Sequence, residues 1–210
     1  EVWPEACEKD QHKRHVKLPR QKWFACACCP PNLARLLTSL NQYAVQERED
    51  GIVIHQYLDG VTACEKADVT LRTDYPWDGQ MAYTIEARTD LFLYLRIPGW
   101  AEKEKTRLTL DGETAPVCPE KGYARLRLGK GTHCLNLDLP MTPRRVYAHE
   151  QVRQDAGCVA FAYGPLIYCL EGCDNPEPLW NLKVDPLGQA EILPFEPETR
   201  NGIRKLRIPG

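Results

Sequence analysis

The sequence has no run approaching the ~20 consecutive apolar residues of a membrane-spanning helix, and its longest apolar stretches are short and strand-like. It also lacks an excess of either charge: 27 Lys and Arg stand against 29 Asp and Glu, a formal net charge of −2. Such a chain has no global field to draw nucleic acid or an anionic membrane surface, so its partners are expected to be neutral or small. Internal repeats and low-complexity tracts are missing too, which excludes a solenoid. The opening Glu1-Val2-Trp3-Pro4-Glu5 has neither a starting Met nor the charged-then-apolar pattern of a signal peptide. The other end, Leu206-Arg207-Ile208-Pro209-Gly210, stops on a strand running into a turn, and truncation is the expectation at both ends.

What is present suffices for one sizeable domain or two small ones: 210 residues with an ordinary 43% of hydrophobic types. One local charge run, Lys9 to Lys22, contains Lys13, Arg14, Lys17, Arg20, His12 and His15 among few acids and reads as a solvated loop. Ten cysteines is high for a reducing compartment, yet the chain is too large for a small secreted disulfide framework. Cys7, Cys64, Cys118, Cys134, Cys158, Cys169 and Cys173 are scattered, several of them in apolar strand-like runs, and are expected to be buried thiols acting as small hydrophobes. Many unpaired cysteines favour a reducing, cytoplasmic setting, although composition alone does not assign a compartment.

From Pro30 the chain reads as one amphipathic helix, with Leu33, Leu36, Leu37, Leu40 and Tyr43 or Ala44 at helical spacing. Pro30 and Pro31 suit its first turn, and the polar run Gln46-Glu47-Arg48-Glu49-Asp50-Gly51 ends it. After Gly51 the pattern becomes alternating and β-branched: Ile52 to Leu58, Val61 to Thr73, Met81 to Ala87, Leu91 to Ile97, Arg107 to Leu110, Tyr123 to Leu128 and His133 to Leu139. Asp111-Gly112 and Gly129-Lys130-Gly131 are the expected turns. Short strands at this spacing predict an antiparallel sandwich. A second β-rich unit begins after Pro140-Met141-Thr142-Pro143, with 159–170 as its most apolar segment and a Pro-, Asn- and Glu-rich stretch from 174 to 200.

The segment richest in chemistry is Cys26-Ala27-Cys28-Cys29-Pro30-Pro31-Asn32, three thiols in four positions directly before a helix start. Thiolates are soft ligands suited to zinc, and the positive end of a following helix favours an ionised sulfur. The spacing is not a Cys-x-x-Cys knuckle, and no second Cys or His pair lies at metal-finger distance. Packed thiols at a helix entry, a vicinal Cys28–Cys29 disulfide, and a cysteine nucleophile with His12 or His15 as its base all remain open on spacing alone.

The segment Trp23-Phe24-Ala25-Cys26-Ala27-Cys28-Cys29-Pro30-Pro31-Asn32 resembles the signature of the β-L-arabinofuranosidase family, glycoside hydrolase family 127. So do Thr73-Asp74-Tyr75-Pro76-Trp77-Asp78-Gly79, Leu95-Arg96-Ile97-Pro98-Gly99-Trp100 and Tyr163-Gly164-Pro165-Leu166-Ile167-Tyr168-Cys169-Leu170-Glu171, in that order along the chain. The resemblance implies that Cys28 is the nucleophile and also a zinc ligand, and that Cys29 is a second zinc ligand. It implies further that a glutamate and a cysteine completing the zinc shell, and the acid/base glutamate, come from an upstream (α/α)6 barrel. Glu5-Ala6-Cys7 imitates that Glu-x-Cys pair but lies too close to the cluster to be it, and Cys26 inherits no role. The implied chemistry is retaining hydrolysis of an arabinofuranoside-like carbohydrate.

The expected architecture is therefore mainly β: residues 1–47 the end of a helical catalytic barrel, 48–143 an antiparallel β-sandwich, and 144–210 part of a second β-domain. On this reading the chain alone is inactive, lacking the general acid and half of the zinc shell. The competing expectation is a carbohydrate-binding or structural β-sandwich without catalysis. A zinc-dependent structural module is a third, for which no clear set of four ligands is present. Asp74, Tyr75, Trp77, Asp78 and Trp100 are of types that stack on and hydrogen-bond to sugars, and equally of types that build sheet corners. Glu171 and Asp174 read as surface or hydrogen-bonding acids.

Overall fold

The computed structural model describes residues 28–175, 178–199 and 202–210. Cys26, the Glu5–Cys7 pair, the basic run from Lys9 to Lys22 and Trp23 to Ala27 lie outside the described residues. The chain divides into two units, residues 1–41 and 42–210.

In the first unit, α1 spans Cys29–Thr38, with proline in its opening turn. Leu33, Leu36 and Leu37 share one face, as their spacing demands, yet all three are exposed. The helix is shorter than its apolar pattern. Thr38 and Ser39 turn their hydroxyls back onto the carbonyls of Ala34 and Arg35, at 3.1 and 2.8 Å, a local alternative to continued helical bonding. One further turn, α2 (Asn41–Ala44), follows. The polar run expected to be mere helix end is instead a strand, β1 (Val45–Arg48), because it pairs antiparallel with β2 (Gly51–Ile54) from Val45↔Ile54 to Arg48↔Gly51.

The second unit is built on two facing sheets. The strands are β3 (Gly60–Ala63), β4 (Ala67–Thr73), β5 (Gln80–Ala87), β6 (Leu91–Arg96), β7 (Arg107–Leu110), β8 (Glu113–Thr114), β9 (Tyr123–Leu128) and β10 (Gly131–Asp138). One sheet runs β1-β2-β6-β9 and the other β3-β4-β5-β10-β7-β8. Strict alternation selects the core: Val69 and Leu71 on β4, Met81, Tyr83 and Ile85 on β5, Leu93 and Leu95 on β6, Leu126 and Leu128 on β9, and Leu135 and Leu137 on β10 belong to one buried cluster.

One pairing departs from the antiparallel expectation. Strands β2 and β6 run parallel, Gly51 beside Phe92 through Ile54 beside Leu95. All four residues of β2 are buried, as a strand covered on both faces requires. Gly51 is obligatory there, since a Cβ would stand 1.8 Å from the Phe92 carbonyl oxygen.

The expected Asp111-Gly112 turn is a two-residue hairpin between β7 and β8, with φ of 52° and 86°. Both central residues of a I′ turn need that left-handed conformation, which Asp and Gly tolerate. Gly129-Lys130 also connects strands, but as a crossover from one sheet to the other. In the C-terminal part, β11 (Pro143–Val146), β12 (Ala160–Tyr163) and β13 (Leu166–Tyr168) form a three-stranded sheet, and β14 (Glu191–Glu196) pairs with β15 (Ile203–Arg207). Gly164, at φ 54°, opens the two-residue loop between β12 and β13.

The scattered thiols are not core residues. Cys118, Cys134, Cys158, Cys169 and Cys173 are exposed and Cys64 is half-buried. On β10 the alternation gives the inward face to Leu135 and Leu137, so Cys134 falls on the outward one.

Candidate active site

Cys28 and Cys29 stand at the N-terminus of α1, both exposed, with their sulfurs 3.7 Å apart. That is well beyond the ~2.05 Å of a disulfide, so the vicinal bond is not formed. The local sequence explains the placement. Two prolines leave the first turn without the backbone donors they would replace, and Asn32 closes the turn by donating through Nδ2 to the Cys28 carbonyl at 2.7 Å. Arg35 in turn donates to Asn32 Oδ1 at 3.2 Å, fixing the amide. The result is two adjacent thiols presented on one short, braced turn.

Their separation suits a shared metal. Two thiolates bound to one tetrahedral zinc at about 2.3 Å each stand about 3.8 Å apart. Among the described residues no third His, Cys, Asp or Glu is grouped with these two sulfurs. His12 and His15, the bases considered on sequence, lie outside the described residues.

A different set of donors stands within four positions of the sequence, though its pattern did not single it out as a site. Glu171, Cys173 and Asp174 bring their ligand atoms within 4.8 Å of one another, and the Cys173 thiol donates to Glu171 Oε2 at 3.6 Å. The tight turn that gathers them brings Asp174 N to the Glu171 carbonyl at 3.1 Å. The Lys205 ammonium lies 3.7 Å from Asp174 and 3.6 Å from Glu196, so a cation already faces these acids.

The aromatic and acidic motifs divide. Tyr75 is half-buried, rests edge-on against Tyr57 at 5.1 Å between ring centroids, and joins Trp100 at the border of the core. Trp77 meets Phe195 at 5.8 Å. Burial pushes the Tyr75 hydroxyl above its usual range. These three aromatics pack the protein. Asp74 and Asp78 instead line a groove of about 700 Å³ on the outer face of the six-stranded sheet, with Asp59, Arg72, Arg107 and Asn136. Asp78 also accepts the Gln80 N–H at 3.0 Å, which shapes the loop.

Comparisons with known proteins identify the family of the two β-rich regions. Residues 51–141 match the model described as "Beta-L-arabinofuranosidase, GH127 middle domain", and residues 143–202 that of the "Glycoside hydrolase family 127 C-terminal domain". The sheets are thus the middle and C-terminal domains of a glycoside hydrolase family. The chain belongs to glycoside hydrolase family 127. It is 36% identical, over 95% of its length, to a non-reducing end β-L-arabinofuranosidase of Bifidobacterium longum subsp. longum, of which it spans 32%. Its structure is similar to that of a GH127 β-L-arabinofuranosidase from Geobacillus stearothermophilus, with a TM-score of 0.85 and 39% identity over 98% of this chain and 33% of the other. A second solved structure, a GH127 β-arabinofuranosidase, gives a TM-score of 0.80 at 28% identity over 91% of this chain and 33% of that one. The chain spans about a third of the length of these relatives.

Proposed function

We propose that this chain is the C-terminal part of a retaining glycosidase, β-L-arabinofuranosidase-like, in which Cys28 is the nucleophile and Cys28 and Cys29 are two ligands of a zinc ion. The observation that carries the reading is the pair of adjacent, exposed thiols 3.7 Å apart on the braced first turn of α1, in a chain whose relatives are named for arabinofuranoside hydrolysis.

Zinc, when bound, holds both sulfurs as thiolates at neutral pH. The chain's own contribution is placement. The turn braced by Asn32 and Arg35 fixes the backbone from which Cys28 would meet a sugar held by the remainder of the enzyme. The thiolate attacks the anomeric carbon, forming a C–S bond while the C–O bond to the leaving group breaks. A carboxylic acid from outside this chain protonates the departing oxygen. Water, activated by the resulting carboxylate, then displaces the sulfur and releases the sugar with retained configuration. On this division of labour the isolated chain does not turn over substrate.

The test uses the longer polypeptide that spans the whole length of the relatives. Cys28→Ser abolishes hydrolysis at every zinc concentration, because a serine hydroxyl is a harder and far weaker acid. Cys29→Ser lowers zinc content and regains part of its activity when metal is added. A mechanism-based sugar analogue followed by peptide mass mapping places the label on Cys28. A label on a glutamate, with Cys28→Ser still active, overturns the reading. The outward-facing groove that contains Asp74 and Asp78 favours a second reading, a glycan-binding module without catalysis. Oligosaccharide binding that survives both cysteine substitutions and chelation, with no hydrolysis by the long polypeptide, would select it.

A further inference from the structure

The motif Leu95-Arg96-Ile97-Pro98-Gly99-Trp100 is not used by the chemistry above, yet its Arg96, Ile97, Pro98 and Gly99 line a groove of about 430 Å³. Such a volume lies within the range of small-molecule sites, roughly 300–1,000 Å³. Three basic residues line it: Arg96 at the end of β6, Lys103 in the loop that follows, and Lys121. No acidic residue lines it.

Each of these residues sits on a braced stretch of backbone. Lys121 and Gly122, at φ 49° and 87°, are the two central residues of a tight hairpin whose ends, Glu120 and Tyr123, exchange N–H···O bonds of 3.0 Å. That turn is clamped to the motif by the Ile97 N–H donating to the Gly122 carbonyl at 2.8 Å. Arg96 stands directly across from Tyr123 in the β6–β9 register. The loop carrying Lys103 is closed by Lys105 N and Thr106 N donating to the Glu102 carbonyl at 3.0 and 2.9 Å.

The neighbouring acids do not neutralise the groove. Glu102 is paired with Lys105 at 2.7 Å, and Glu104 and Glu120 are not among the lining residues. Arg96, Lys103 and Lys121 form no ion pair with any described residue. Tyr123 is also among the lining residues, and its hydroxyl lies 2.7 Å from His55 Nδ1. His55 meets the Tyr123 ring edge-on at 5.6 Å, so the ring is held in place.

We infer that this groove binds a carboxylate-bearing sugar, the three cations receiving the carboxylate and the Tyr123 ring stacking on the sugar face. A planar guanidinium takes a carboxylate through two parallel N–H donors, and aromatic faces pack on sugar rings. The site goes beyond the catalytic proposal: it needs neither the cysteine pair nor a metal, and it makes the protein a reader of acidic glycan.

Isothermal titration of the 210-residue chain with a galacturonic acid trisaccharide, the neutral galactose trisaccharide and inorganic phosphate at matched ionic strength tests it. The acidic trisaccharide binds, the neutral one at least about tenfold more weakly, one lost charge-assisted contact being worth about that factor. Phosphate binds more weakly than the acidic sugar, because it has no face for Tyr123. Arg96→Gln and Lys121→Asn each weaken acidic binding about tenfold with unchanged thermal stability, whereas Arg127→Gln, outside the groove on the same strand pair, leaves it intact. Chelator has no effect. Equal binding of the neutral sugar, equal binding of phosphate, or full affinity in Arg96→Gln overturns the inference, and so does the absence of measurable binding.

Discussion

His133 tests how far one surface histidine sets the pH dependence of the sandwich. Its Nδ1 lies 2.7 Å from Asp111 Oδ2 and its Nε2 lies 2.9 Å from the Gly129 carbonyl oxygen. Both neighbours are acceptors, and only the doubly protonated ring can donate to both. The Asp111 carboxylate first, and the Gly129 carbonyl second, raise the His133 pKa above its usual value. The same bond, with the Cys134 N–H donating to Asp111 Oδ1 at 2.8 Å, lowers that of Asp111. The signs follow. The histidine's contribution is fully present below its unfolded value of about 6.5 and is lost as pH rises through the higher folded value. The aspartate's contribution is present above about 3.9 and lost as pH falls through its lower folded value. The clasp between the β7–β8 hairpin and the sheet crossover is therefore strongest between about pH 4 and 6.5.

A charge-assisted hydrogen bond contributes about 1.5–3 kcal/mol. The Asp111 side chain is 49% exposed, so solvent screening brings the expectation down to about 1 kcal/mol. Asp111→Asn is the clean perturbation. It removes the charge, keeps an oxygen for the Cys134 N–H, and tolerates the φ of 52°. Urea unfolding followed by tryptophan fluorescence at pH 5.5 and pH 8.5 should show the unsubstituted chain gaining about 1 kcal/mol more than Asp111→Asn at the lower pH. Identical pH dependence in the two proteins would refute the argument.

Gly79→Ala should destabilise the chain by about 3 kcal/mol, the upper end of overpacking costs, because a Cβ there would stand 1.9 Å from the Leu139 carbonyl oxygen, a backbone atom that cannot swing away; thermal unfolding reads it, and a neutral result would show that the loop after Pro76 yields freely. Leu137→Ala, in the fully buried row of β10, should cost about 2–5 kcal/mol in the same assay, whereas Leu36→Ala on the exposed face of α1 should stay within about 0.5 kcal/mol. Hydrogen exchange should be fast across Leu33 to Leu40 and slow across β5 and β10, and strong protection of that helix in the monomeric chain would contradict its exposed leucines. Limited proteolysis should leave a resistant core of about residues 48–143; cleavage within Leu91 to Ile97 ahead of Gln46 to Gly51 would count against those bounds.

Local pattern determined a good deal. Alternation along Met81 to Ala87, Tyr123 to Leu128 and His133 to Leu139 named the strands and their inward residues, since a period of two leaves no choice of face once a core exists. Asp111-Gly112 announced its hairpin because few residue pairs accept two positive φ values in succession. Cys28 and Cys29 were legible as adjacent thiols at a helix start, since the prolines after them suit a first helical turn. Pairing was not legible. The run Gln46 to Arg48 is polar enough to look like loop, and it became β1 only because β2 offered its backbone hydrogen bonds. The parallel β2–β6 contact joins segments about forty residues apart, a choice made by the packing of the sheets and not by either strand's own residues. Tertiary structure likewise turned Cys134 outward, set His133 between two acceptors, and brought Arg96, Lys103 and Lys121 from separate segments to one groove. Spacing along the chain carries information only about residues a few positions apart. Which surfaces meet is decided by burial of the whole core, and that sum is not written in any single segment.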